Sequence, residues 1–153
     1  MIRPLRFLQY AVQDKLNILH TACVRRSLGG TFREFVLNLC LLPHGLVGPR
    51  FIESLAKADD QWVVHLRGCS TPLYFPYEDL DLLHGILSEQ MIPWHWHYYQ
   101  IPETRVAPGD IVVDCGAAEG IFALLTRPAA RHVYCIEPLP EFQRSLQLTF
   151  RQD

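Results

Sequence analysis

Val112-Val113-Asp114-Cys115-Gly116-Ala117-Ala118-Glu119-Gly120, followed by Val133-Tyr134-Cys135-Ile136-Glu137-Pro138, decides how this chain is read. Ile111 to Asp114 is a short apolar run of the kind that a strand buried on both faces of a parallel sheet requires. Gly116 and Gly120 flank Ala117-Ala118, so the backbone leaving that strand can bend sharply and a ligand can approach it closely. Ile121 to Leu125 continues as a helix that Pro128 ends. Val133 to Ile136 is a second strand, and Glu137 closes it.

An acid about 20 residues past such a turn stands where a ribose would offer its hydroxyls. A carboxylate accepting two O–H groups makes charge-assisted bonds, stronger than neutral ones. A dinucleotide turn would need G-x-G-x-x-G. Counted from Gly116, its second and third glycines fall on Ala118 and Ile121, so that pattern fails. Glu119 at the helix N-terminus also disfavours a pyrophosphate, which that position otherwise attracts. The G-K-[ST] of a phosphate loop is absent. Asp-x-Gly-x-x-x-Gly with an acid closing the next strand fits a cofactor with a ribose and no phosphates, and S-adenosylmethionine is such a cofactor.

Asp114-Cys115-Gly116-Ala117-Ala118-Glu119-Gly120-Ile121-Phe122, with Pro108-Gly109-Asp110 before it and Ile136-Glu137-Pro138 after it, resembles the FkbM-type S-adenosylmethionine-dependent methyltransferases. The resemblance covers residues 101 to 150, about a third of the chain. It implies a Rossmann-like class I methyltransferase sheet and methyl transfer to a hydroxyl of a sugar, glycan or small-molecule product. Carried over by position, Asp114, Gly116, Ala117 and Gly120 would line the methionine and ribose end of the cofactor, and Glu137 would hold the ribose hydroxyls. Two features depart from the family. The helix after the turn is short, and the adenine-side and substrate-side residues of later strands have no counterpart, so the chain reads as truncated after its second strand–helix unit. No catalytic base can be named.

Working outward, residues 1–105 form a separate region, mainly helical with a small β-hairpin, and 106–153 form the N-terminal half of the cofactor domain. Leu5, Leu8, Val12, Leu16, Leu19 and Cys23 recur at helical spacing up to Gly29-Gly30. Phe32, Phe35, Val36, Leu39 and Leu42 repeat the pattern until Pro43 and Gly45 break it. A third short helix is predicted from Pro49, with Phe51, Ile52 and Leu55 inward. Trp62 to Leu66 and Leu73 to Phe75 read as the hairpin. Asp79 caps a helix carrying Leu80, Leu83, Leu87 and Met91, closed by Pro93. A last helix runs from Pro140 to Phe150, with Phe142, Leu146 and Phe150 inward.

Composition excludes several classes. A net charge of −2 with scattered basic residues gives no phosphate-tracking stripe, so no nucleic-acid partner is expected. No apolar run reaches the roughly 18 residues of a membrane span, and no signal peptide is evident, which makes the cytoplasm the default location. Five cysteines without a C-x-x-C pair suit a reducing compartment rather than a disulfide framework or a zinc site. Cys115 and Cys135 read as buried strand filler, inert as thiols.

His95-x-His97 would point two rings to one face of a strand, but with no third ligand close in sequence no functional metal is expected there. Tyr98 or Tyr99 is a candidate for packing near the cofactor entrance, because that segment leads into the cofactor strand. Glu78, Asp79 and Asp81 read as a helix start.

These readings together predict an α/β protein carrying half of a methyltransferase sheet. An unfinished sheet should expose an edge and an apolar face, favouring poor solubility or self-association, weak or undetectable cofactor affinity and no turnover by these residues alone. The rival expectation is a catalytically inactive fragment that serves as a binding or interaction module. A nicotinamide or flavin oxidoreductase is disfavoured by the glycine spacing.

Overall fold

The computed structural model describes residues 12–13, 15–16, 19–20, 32–40, 44–93, 95 and 97–151. Its described elements make a mixed α/β protein with five helices and two small sheets. Helix α1 spans Phe32–Leu39 and α2 spans His44–Val47, running into a 3-10 turn at Gly48–Phe51. Strands β1 (Ile52–Ala58), β2 (Gln61–Leu66) and β3 (Leu73–Phe75) form an antiparallel meander in that order. Helix α3 spans Leu80–Met91. Strand β4 (Ile111–Cys115), helix α4 (Ile121–Thr126) and strand β5 (His132–Ile136) form one parallel βαβ unit, and α5 spans Pro140–Thr149.

The predicted third helix is instead a strand. Pro49 does open a helical turn, but the turn lasts four residues and the chain then enters β1. The cause of the misreading is a bulge. Pairing shifts between Ile52 and Ser54, so Ile52 faces Leu66 and Leu55 faces Val64. A bulge places an extra residue in one strand, so two residues three apart share a face and imitate helical spacing. The expected hairpin therefore gains a third strand, joined by the two-residue loop Asp59-Asp60, with Asp59 at φ 54. The helix that begins at Phe32 does stop before Pro43, at Leu39, and Gly45 lies within the next helix, α2, rather than between helices.

The remaining expectations in this region fare better. Asp79 Oδ1 accepts from Asp81 N–H at 2.9 Å, as an N-cap does, and α3 ends before Pro93. Leu83 and Leu87 are fully buried. Val12, Leu16 and Leu19 of the first apolar stripe are exposed, while its other members, Gly29-Gly30, Leu42 and Pro43 lie outside the described residues. No helix among the described residues is long and apolar enough to cross a membrane.

One core joins the meander and α3 to α4 of the βαβ unit. Val64, Leu66, Leu73 and Phe75 from the meander pack with Leu83 and Leu87 of α3 and with Ile121 and Leu124 of α4. Helix α5 lies along β3, but its most buried residues are Ser145 and Thr149 rather than the predicted Phe142, Leu146 and Phe150, which are half-buried. Hydrogen bonding explains the inversion. Thr149 Oγ1 accepts from Tyr74 N–H at 3.0 Å, satisfying a donor of the edge strand, and Ser145 Oγ donates to Gln61 Oε1 at 2.9 Å. A buried donor left without a partner would cost about 1–3 kcal/mol, so these two hydroxyls do more for the seam than their size suggests.

The β4–β5 pair is not buried on both faces. Ile111, Val113, Tyr134 and Ile136 are each more than half exposed, and Cys115 on the same face is exposed too. The expectation of two-sided burial is thus corrected for the described residues, and with it the reading of Cys115 as buried filler. The opposite face, carrying Val112, Asp114, Val133 and Cys135, is half-buried. Burial and the Asp114 carboxylate raise the Cys135 thiol above its ordinary value.

Candidate functional site

The five residues singled out from the sequence come together at the carboxyl ends of β4 and β5. Asp114 is the penultimate residue of β4. Gly116, just past the strand, adopts φ +82, and its N–H donates to Ile136 O at 2.8 Å; Ala117 N–H reaches the same oxygen at 3.3 Å. Ala117 is buried, and Gly120 caps α4 at φ +90. Glu137 follows β5 directly.

Glu137 holds the turn closed. Its Oε2 accepts from Ala118 N–H at 2.9 Å and its Oε1 from Leu139 N–H at 2.9 Å. Its backbone oxygen accepts from Gln143 Nε2 at 2.7 Å, tying the acid to α5. Each carboxylate oxygen has two lone-pair directions, so both retain capacity for a hydroxyl donor. Ala118 sits at φ +46. A non-glycine residue there is uncommon and such conformations gather at functional turns. Sequence reading did not foresee it, since alanine carries no sign of the left-handed region.

Glu119 is the residue that sequence reading undervalued. It is only 3% exposed, and its Oε2 has no hydrogen-bond partner. Its carboxyl is pushed up to about 7, chiefly by loss of solvent and further by the charges of Asp114 and Glu137, against a hydrogen bond from its own backbone N–H. Asp114 is raised as well, by burial and then by Glu137, and its Oδ2 also lacks a partner. Three acids therefore converge on one turn, two of them with an unused buried oxygen. That surrounding repels phosphate and suits positive charge.

A ring from the aromatic block reaches this region. Tyr99 stacks edge-on against Phe122 in the first turn of α4, with centroids 5.9 Å apart. Beside the turn an open groove of about 600 Å³ runs between α4, β5 and α5, lined by Arg127, Cys135, Gln143 and Phe150 among others. Of the five site residues it includes only Glu137, so it is not the centre of the site.

The histidine pair lies elsewhere and not in a strand. His95 and His97 have ring centroids 5.8 Å apart, and His97 N–H donates to His95 Nδ1 at 3.2 Å. The fold also brings His44 to 6.0 Å from His95 and Glu89 Oε1 to 3.5 Å from His97 Nδ1, neighbours invisible in the sequence. Among the described residues no group of three or more His, Cys, Asp or Glu side chains could hold a metal ion. Trp94 and Trp96 lie outside the described residues.

No protein-family profile, curated protein or solved structure matches this chain, so any family reading rests on the residues of the turn itself.

Proposed function

We propose that this chain carries the cofactor-binding half of a Rossmann-like, class I methyltransferase of the FkbM type, which uses S-adenosylmethionine to methylate a hydroxyl of a sugar, glycan or small molecule. The observation that carries the proposal is the turn from Gly116 to Gly120, closed by Glu137 and flanked by Asp114 and Glu119, each with one buried oxygen that has no partner. Bound there, S-adenosylmethionine would supply an electrophilic methyl group. Gly116 and Ala117 would present backbone to the ligand, Glu137 would accept from the ribose hydroxyls, and Asp114 with Glu119 would face positive charge. No described residue is assigned as the base.

Glu137→Ala is expected to weaken S-adenosylmethionine by about 1.5–3 kcal/mol, the range for hydrogen bonds to a charged group. Ligand-observed NMR titration reads the change even where affinity is weak, and an unchanged dissociation constant would remove Glu137 from the site. Gly116→Val should abolish binding. A Cβ at Gly116 meets nothing within 4 Å, so a branched side chain would project into the space the ligand needs.

A second reading, an inactive interaction module, is favoured by the exposed face of Ile111, Val113, Tyr134 and Ile136. Contiguous apolar surface of that kind marks association. The face supports self-association, which sedimentation at rising protein concentration would report as a growing mean mass; a constant monomer mass would remove this reading.

A further inference from the structure

We propose that the turn takes up its ligand's positive charge in exchange for a proton held on Glu119, so that a cationic adenosine ligand binds with release of a proton and a neutral one does not. The inference rests on the reading of the turn as a nucleoside site and assigns a role to a residue which that reading uses only as a charge.

The geometry supplies the reason. Glu119 is the most buried of three acids drawn from three places: Asp114 at the end of β4, Glu119 in the turn, and Glu137 after β5. The charges acting on Glu119 are those of the other two acids, and both favour its protonated form. Glu137 is committed to Ala118 and Leu139 N–H. Asp114 and Glu119 each keep one buried oxygen with no partner. Burial and the neighbouring charges of Asp114 and Glu137 favour a proton on Glu119, the carboxyl of the three with least access to water.

A ligand cation reverses that balance. The exchange is ligand⁺ plus Glu119 carboxylic acid giving ligand⁺ against Glu119 carboxylate plus a proton released to solvent. No covalent bond other than O–H breaks, and the net charge of the occupied turn equals that of the free one. S-adenosylmethionine carries a sulfonium. Methylthioadenosine keeps the adenosine and the thioether but has no positive charge at neutral pH.

The test is ligand-observed NMR titration of the 153-residue chain with each compound at pH 6.0 and pH 7.5. For a carboxyl at about 7 that ionises on binding, S-adenosylmethionine should bind roughly eightfold more weakly at the lower pH, and methylthioadenosine equally at both. Glu119→Gln preserves shape and buried neutrality, and should remove the pH dependence while holding S-adenosylmethionine at or below the wild type's pH 6.0 affinity. The same pH slope for both ligands, a slope that survives in Glu119→Gln, or no slope for either, would overturn the exchange while leaving the nucleoside site standing. Binding of neither compound at millimolar concentration would overturn the site reading and the exchange with it.

Discussion

Glu119→Gln is expected to raise the stability of the folded chain by about 3 kcal/mol at pH 8 and by less than about 1 kcal/mol at pH 5. The folded carboxyl is pushed up to about 7 from an ordinary 4.5. Below pH 4.5 folded and unfolded forms are both protonated, and the residue costs nothing. Between 4.5 and 7 the folded chain binds a proton that the unfolded chain has released, so stability falls as pH rises, and above 7 the loss is complete. Each pH unit in that window is worth about 1.4 kcal/mol. Glutamine has no charge to bury and escapes the penalty. Because the side chain is only 3% exposed, solvent screening does little to reduce the figure. Urea denaturation of both proteins at the two pH values measures it. A difference that fails to grow with pH would show that Glu119 does not carry the buried charge assigned to it.

Gly120→Ala is expected to cost about 2–5 kcal/mol, whereas Gly116→Ala should cost only about 1–2 kcal/mol. Both glycines have φ in the left-handed region, at +90 and +82, and both substitutions pay that strain. They differ in what the new Cβ meets. At Gly120 it would lie 2.6 Å from Leu146 Cδ2 and 3.0 Å from Phe150 Cε2, so these side chains of α5 must shift from their packing on α4. At Gly116 nothing lies within 4 Å. One glycine lets two helices pack, and the other keeps open the space in front of the turn. Equal losses in thermal or urea unfolding would contradict that division.

The βαβ unit was legible because its signals are local and agree with one another. The apolar strands, the positive-φ glycines and the turn at Pro108-Gly109-Asp110 fall where the sequence put them, with Ala107 N–H donating to Asp110 Oδ2 at 2.8 Å. The cap at Asp79 was legible for the same reason. β1 was not. Its bulge gives Ile52 and Leu55 a helical spacing on one strand face, and only the pairing partner reveals it. Nor was the seam between α5 and the meander, where Ser145 and Thr149 are buried by hydrogen bonds to residues more than seventy positions away.

The site shows the same division. Glu137 stood out by its spacing from the Gly116 turn, and Asp114, Gly116, Ala117 and Gly120 by the family resemblance; the fold brings the five together. Glu119 did not, because in the sequence it stands only as an acid that disfavours a pyrophosphate at the helix N-terminus. Its burial, at 3% exposure, arises from tertiary packing that no short window of sequence encodes.

Which cofactor the turn accepts is measured by a side-by-side titration with S-adenosylmethionine and NAD, followed by saturation-transfer NMR at pH 7.5. Transfer to the adenosine protons of S-adenosylmethionine, lost in Gly116→Val, with none to NAD, is the predicted result. Transfer to NAD, or to neither ligand, would contradict it.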